Sequence, residues 1–393
     1  MDKIEELLTR GVANIIPNKE ELSKVLSSGK KLNIYLGIDA TATKIHLGHA
    51  VVLRKLNEFA QLGHNVTFLI GDFTALIGDT SDKDTERPVL TPEQIQENFK
   101  TYKNQAEKIL DFSKVKIRHN SEWLNELEFK RIVKLCQQFS LNDFISRELI
   151  RKRLDEGKKV ALHEVLYPVM QGYDSYFLDT DLQIGGTDQT FNMQAGRILF
   201  KNWTNPQKES FILATEFLMG TDGRKMSKSW GNAIWLEDKP NDMFAKIMAI
   251  DDDLINQYLI LGTSESLERI KEIQSGKNPM NIKKELAKII VTELHSPDDA
   301  KNAQINFEQT VQGEKLPDDI PIFQTGTADV ENVADLLIEA KLAGSKSDAK
   351  RLIEQGGVAL DNKVINPNEQ IKLKENSIIR VGKRRFVKIK IER

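Results

Sequence analysis

The sequence predicts an α/β protein: a parallel-sheet domain carrying a helical insertion, then an α-helical domain, then a small α+β domain. Three observations carry this. Apolar runs alternate with helically spaced apolar residues through the first third of the chain, periodicity past Lys225 is helical only, and an aperiodic Pro-, Gly- and Asp-rich stretch at 313–327 precedes a short tail of mixed pattern. At 393 residues the chain is too long for one compact core. Its 40% hydrophobic and 29% charged residues make a globular composition, and no apolar run reaches the length of a membrane span.

The start of the chain, Met1-Asp2-Lys3-Ile4-Glu5-Glu6, is acidic and helical, unlike a secretory or transit peptide. The runs LNIYLGI at 32–38 and VTFLI at 66–70 read as strands. Between them Val51, Val52, Leu53, Leu56, Phe59 and Leu62 recur at helical spacing until Gly63 ends the helix. Strand, helix and strand within about forty residues form a βαβ unit, and therefore a parallel sheet. Further strands are expected at 115–117, 182–184 and 211–214. The mostly helical stretch at 91–166 breaks the alternation and reads as an insertion between the halves of a Rossmann-like fold spanning 1–222. Residues 223–315 then form a helical domain, with helices at 243–249, 252–261, 266–275 and 281–295. Residues 316–328 read as a linker and 329–393 as the last domain. It has helices at 333–340 and 347–354, Ser345 or Ser347 as a cap, a turn at Asp361-Asn362, and strands at 358–360, 378–381 and 386–391.

Charge is unevenly divided. From Asp329 onward 14 basic side chains face 10 acidic ones, a net of +4, which leaves −6 for the rest of a chain whose total is −2. A basic module on an acidic body suits a phosphate backbone at one end. The only cysteine, Cys136, excludes an internal disulfide and a cysteine-rich metal cluster; it reads as core, and a reducing cytoplasm is expected.

Two strings carry chemistry. His46-Leu47-Gly48-His49 falls where the first strand meets its helix, the place where helix N–H groups and dipole favour phosphate. Histidines three apart share a helix face, and Gly48 lets a ligand approach the backbone. Zinc is the rival reading, but no Cys, Glu or third His lies nearby to complete a site, so no metal centre is expected. Lys225-Met226-Ser227-Lys228-Ser229 is flanked by Gly220, Gly223 and Gly231, a pattern for a loop that closes over a ligand and reopens. Its lysines would neutralise a leaving pyrophosphate. Such transfer relies on positioning and charge stabilisation, so the lack of a Ser/His/Asp or paired-carboxylate constellation is consistent with it.

With these motifs the chain resembles the class I aminoacyl-tRNA synthetases, and within them the tyrosyl family. Tyr35-Leu36-Gly37-Ile38-Asp39-Ala40-Thr41-Ala42 leading into HLGH, YPVMQGYD at 167–174, LQIGGTDQ at 182–189 and KMSKS at 225–229 are similar to that family's motifs, in order. Residues 223–315 are similar to that family's KMSKS loop and α-helical anticodon-binding domain, and the tail from Val333 resembles an RNA-binding module shared with a ribosomal small-subunit protein. The resemblance implies that Tyr35 and Asp174 bond the phenolic hydroxyl of L-tyrosine, that Asp79, Tyr167 and Gln171 hold its ammonium group, and that Gln189 lies by its carboxylate. It places Thr41, His46 and His49 along the triphosphate, with Lys83, Arg87, Lys225 and Lys228 as further catalytic groups. Gly37, Asp39, Gly48, Gly186, Asp188, Met226, Ser227 and Ser229 would complete the ATP site, Asp188 and Gly186 approaching the ribose. Leu36 and Val52 offer ATP no side-chain hydrogen bond where relatives often have one, and Ala40 stands where proline often precedes the threonine.

The implied reaction activates tyrosine with ATP, as its Mg²⁺ complex, and transfers it to the 3′ end of tRNA(Tyr). No tightly bound cofactor and no membrane association are implied. The partners are tRNA(Tyr), L-tyrosine, ATP and a second copy of the chain, a homodimer joined through 127–154. Lys346, Lys350 and Arg351 on one helix, and Lys383, Arg384, Arg385, Lys388 and Lys390 in the last hairpin, are the expected RNA contacts. Three rivals stay open: the tryptophanyl branch, which shares both ATP elements; a small-molecule nucleotidylyltransferase; and an RNA-binding protein that keeps the scaffold without catalysis.

Overall fold

The computed structural model describes residues 3–39, 43–79, 91–203, 208–275, 278–312, 320–330, 332–361, 363–366, 369–382 and 385–391. The chain forms two compact units, Met1–Ala300 and Lys301–Arg393. In the first, a six-stranded sheet runs in the order β1-β6-β5-β2-β3-β4. Strands β2 (Asn33–Ile38), β3 (Asn65–Ile70), β4 (Val115–His119), β5 (Leu182–Gly186) and β6 (Phe211–Thr215) are parallel, as their near-continuous apolar runs predict for strands covered on both faces. Strand β1 (Val12–Ile16) lies antiparallel at the edge against β6. Its two exposed residues and short length left no clear period in the sequence.

From β2 the chain moves to β3 on one side and later to β5 on the other. The C-terminal ends of β2 and β5 therefore flank a topological switch point, where α/β sheets open a ligand crevice. The expected insertion at 91–166 begins too early. Helix Pro92–Ala106, closed by a capping box between Thr91 and Gln94, leads into β4, which pairs with β3 from Val66↔Val115 to Ile70↔His119. Both belong to the sheet domain, and the inserted short helices follow β4, starting at Ser121–Leu124 and ending with Glu148–Asp155. Cys136, expected in the core, is only half-buried.

Helices Leu162–Phe177 and Thr190–Trp203 cross through two glycines. A Cβ on Gly172 would lie 2.9 Å from the Ala195 Cβ, and one on Gly196 would lie 2.7 Å from the Ser175 Cβ. Only glycine permits this approach, which brings Asp174 beside β5. Beyond the sheet the expected helices form as Pro240–Met248, Ile255–Gly262, Leu267–Gln274 and Pro279–Leu294; a further one, Pro297–Gln312, was not singled out.

The second unit has its own core around Leu337, Ala349, Val358, Ile379 and Ile389. Strand β7 (Ile322–Thr325) runs parallel to the last strand, β13 (Arg385–Ile391), so part of the stretch read as a linker at 316–328 is an edge strand. Its alternating half-exposure hid it. Short strands β8 (Asp329–Val330), β9 (Val358–Leu360), β10 (Lys363–Val364), β11 (Ile371–Lys372) and β12 (Ile378–Val381) complete two small sheets. Ser345, rather than Ser347, caps helix Lys346–Glu354, accepting from the Asp348 N–H at 3.2 Å. Among the described residues no helix is long and apolar enough to cross a membrane.

Candidate active site

The crevice at the ends of β2 and β5 holds a cavity lined by Tyr35, Asp39, Thr74, Asn120, Tyr167, Gln171, Asp174, Gln183 and Gln189. At its floor the Tyr35 hydroxyl donates to Gln183 Oε1 at 3.1 Å, while Gln183 Nε2 donates to the Met193 carbonyl at 2.9 Å, which fixes the amide's orientation. Asp174 is 3% exposed and accepts from Trp123 Nε1 at 2.7 Å and Asn120 Nδ2 at 3.1 Å. Burial pushes its carboxyl up to about 8, with the two donors pulling the other way. Burial also raises the Tyr35 phenol. A phenol and a carboxylate in one cavity, with Leu69, Ile184 and Met193 among its walls, suit an aromatic ligand bearing one hydroxyl.

The other end of the cavity is a net of carboxylates. Asp39, expected on the nucleotide side, accepts from the Tyr167 hydroxyl at 2.9 Å and Thr74 Oγ1 at 2.8 Å. A Cβ on Gly71 would fall 2.1 Å from Asp39 Oδ1, so glycine there makes room for the carboxylate. Asp79 accepts from Gln189 Nε2 at 2.8 Å and Asn192 Nδ2 at 3.3 Å; Asp79 and Gln189 are thus joined, two residues expected on the neighbouring ammonium and carboxylate groups of one ligand. Gly37 lines the same cavity.

His46 is the N-cap of helix Leu47–Gln61, and its backbone N–H donates to His49 Nδ1 at 3.4 Å. The two rings stack with centroids 3.8 Å apart. A Cβ on Gly48 would lie 2.9 Å from His46 Nδ1, so the stack depends on that glycine. Burial, then the neighbouring ring and Lys225, drive His46 down to about 2; burial and Lys225 drive His49 to about 4. Both imidazoles are therefore neutral near pH 7 and can offer N–H donors but no positive charge. His46 Nδ1 is buried and has no hydrogen-bond partner among the described residues.

The lysine loop docks on this pair. Met219 and Lys225 form an antiparallel bridge closed by Gly220 N–H to the Arg224 carbonyl at 2.7 Å, with Gly223 at φ +76°. Gly223 and Gly231 (φ +67°) thus have fixed turn roles besides any mobility. Met226 is buried within reach of Gly48. Lys225 Nζ donates to Asp188 Oδ2 at 3.0 Å and lies 4.2 Å over the Phe217 ring. The cation expected on phosphate thus rests on the carboxylate expected on ribose, beside Gly186. Past the loop, Leu47 N–H reaches the Ile234 carbonyl at 2.9 Å and Leu236 N–H the Ile45 carbonyl at 3.0 Å, strapping the histidine segment to the returning chain.

Thr41, Lys83, Arg87, Lys383 and Arg384 lie outside the described residues, as does the Ser229 side chain. Lys228 opens a single turn, Lys228–Trp230, and Ser227 is its N-cap. In the second unit Lys346 pairs with Asp335 at 2.7 Å and Arg351 with Asp348 at 2.7 Å, while Lys350 is exposed. The basic hairpin is split by strand alternation: Arg385 donates to the Leu342 carbonyl, but Lys388 and Lys390 have the opposite parity from buried Val387 and Ile389. Among the described residues no group of three or more His, Cys, Asp or Glu could hold a metal ion.

Residues 27–312 match the family described as tRNA synthetases class I (W and Y), and 333–377 match the S4 domain. Tyrosine–tRNA ligase 2 of Vibrio cholerae is 43% identical over 392 residues, covering 98% of both chains. The tyrosine–tRNA ligase of Thermotoga maritima is 41% identical over 394 residues, covering 98% of this chain and 96% of its own. Among solved structures, the tyrosyl-tRNA synthetase of Archaeoglobus fulgidus, complexed with L-tyrosine, is similar with a TM-score of 0.60 at 25% identity, over 77% of this chain and 100% of that one. A C-terminally truncated mitochondrial tyrosyl-tRNA synthetase of Aspergillus nidulans shares the fold with a TM-score of 0.67 at 22% identity, over 78% and 93%.

Proposed function

Because the chain belongs to the tyrosyl branch of the class I tRNA synthetases, we propose that the cavity floored by Asp174 and Tyr35 holds tyrosine and that the crevice between His46/His49 and the lysine loop holds ATP. The reaction is tyrosine activation by ATP to tyrosyl-adenylate and pyrophosphate, followed by transfer to tRNA. The observation that carries the site assignment is Asp174, buried and fixed by Trp123 and Asn120 in the same cavity as the Tyr35 phenol.

In this reading the Asp39–Tyr167 and Asp79–Gln189 pairs receive the ammonium and orient the carboxylate for in-line attack on the α-phosphate. Neutral His46 and His49 donate N–H bonds to the triphosphate, Asp188 turns to the ribose, and Lys225 and Lys228 meet the charge that grows on the leaving pyrophosphate. ATP enters as its magnesium complex, the ion arriving with the substrate. We assign Thr41, Lys83 and Arg87 to the phosphates as well, as the resemblance implies. Pyrophosphate exchange measured with tyrosine, phenylalanine and tryptophan in parallel tests the assignment. Tyrosine alone should support exchange; exchange driven by tryptophan would move the chain to the other branch.

We assign catalysis to the first unit and tRNA binding to the second, with Lys346, Lys350, Arg351 and the Lys383–Arg385 segment facing phosphates. A chain ending at Gln312 should keep tyrosine-dependent exchange within about twofold yet charge tRNA about tenfold or more slowly, since lost phosphate contacts weaken RNA binding steeply. Equal charging by both chains would make the second unit dispensable. A cytoplasmic homodimer completes the reading. Phe129 and Leu162, 80% and 77% exposed, with exposed Leu141 and Leu154, place a set of apolar side chains on and beside the inserted helices that a second copy would cover.

A further inference from the structure

One side chain ties the lysine loop together. Asn232 is 3% exposed, and its Oδ1 accepts the Ser227 N–H at 2.9 Å. Its Nδ2 donates to Asp222 Oδ1 at 2.7 Å and to the Lys225 carbonyl at 3.2 Å. The amide's orientation is unambiguous, because a backbone N–H only donates, while a carboxylate and a carbonyl only accept. Its backbone also takes part, the Asn232 carbonyl accepting from Thr221 N–H at 3.1 Å. The same carboxylate that Asn232 holds grips Arg224 at 2.8 Å, and the Arg224 guanidinium lies 4.5 Å over Trp230, just past the loop. Both ends of the loop thus refer to one amide. Gly220 packs against it so closely that a Cβ would stand 2.4 Å from the Asn232 side chain.

We propose that Asn232 is a positioning residue for tyrosine activation: it sets the register in which Lys225 and Lys228 face the leaving pyrophosphate, touching neither substrate itself. The proposal rests on the function assigned above to the lysine loop. Its physical content is a donor–acceptor asymmetry. A carboxylate at this position keeps the bond to Ser227 but turns two attractive contacts, to Asp222 and to the Lys225 carbonyl, into repulsive ones with almost no change in shape.

Asn232→Asp is therefore expected to slow single-turnover tyrosyl-adenylate formation about 10- to 100-fold at about pH 8, the size of effect that displacing a reacting group by an ångström produces, while the tyrosine dissociation constant stays unchanged. Like charges held together raise the affinity of one carboxyl for a proton, so the deficit relative to the unsubstituted chain should shrink as pH falls towards about 5.5, where a shared proton returns a donor. Adding Asp222→Asn to Asn232→Asp should recover most of the rate by restoring a donor between the two positions. Gly220→Ala, which pushes the amide aside without altering it, should lower the rate in the same way and guards against a misfolded aspartate variant. The proposal is overturned if Asn232→Asp and Gly220→Ala form adenylate at the parent rate. It is equally overturned if the loss is independent of pH, unrelieved by Asp222→Asn, and matched by lost tyrosine affinity. Failure of the unsubstituted chain to exchange pyrophosphate with tyrosine would strike at the assigned function instead.

Discussion

Lys228→Ala is expected to slow tyrosyl-adenylate formation by about 10²- to 10³-fold, the range seen when one donor to charge developing in the transition state is removed. Tyrosine affinity should not change, because Lys228 lies on the turn that follows the bridge and does not line the amino-acid cavity. The loss belongs to kcat for activation, since the charge that Lys228 meets develops only as the α–β phosphate bond breaks. Rapid-quench measurement of adenylate together with equilibrium tyrosine binding separates the two quantities. An unaltered activation rate would remove Lys228 from the chemistry and leave Lys225 to act alone.

The second large effect is on the choice of amino acid. Asp174→Ala leaves the Trp123 Nε1–H and the Asn120 amide, which now converge on one carboxylate, without their acceptor, and leaves a bound phenol facing a methyl group. A buried hydroxyl without a partner forfeits about 1–3 kcal/mol, so preference for tyrosine over phenylalanine in exchange should fall by about 10- to 100-fold. Retained preference would place recognition of the hydroxyl elsewhere. Asp174→Asn reports on charge instead of shape. In the unliganded protein burial raises the Asp174 carboxyl from 3.8 to about 8, so between those values the folded chain binds more protons than the unfolded one. Its contribution to stability is then complete below about pH 3.8 and is lost as pH rises through about 8, and Asp174→Asn should flatten that decline in denaturant titrations. An unchanged pH slope would mean that the carboxyl titrates in its ordinary range.

Local signals made the frame of this protein readable. The apolar runs of β2 and β3 and the helix between them follow from period alone, and the histidine string at their junction follows from where parallel sheets bind anions. What stayed hidden was built by tertiary contact. Asn120 and Trp123 have no motif; they matter because β4 joins the sheet and delivers them to Asp174, and the sequence reading had assigned that strand to an insertion. A residue directly after the C-terminal end of a parallel strand faces the crevice, and that rule alone would have marked Asn120. Gln183 and Asn232 are likewise ordinary amides until their partners are known. The edge strands β1 and β7 bury too little to leave a period. Even the histidines were legible only in position: their neutrality is a product of burial, which no spacing reveals.

The pair of backbone bonds that joins residues 45–47 to 234–236 has a mechanical meaning. The far foot of the lysine loop is stitched to the very segment that carries the imidazoles, so a loop that opened would hinge like a buckle whose clasp stays seated. On the proposed function, product release would then need only the residues at the tip to unfasten, with the imidazole segment still held for the following turnover.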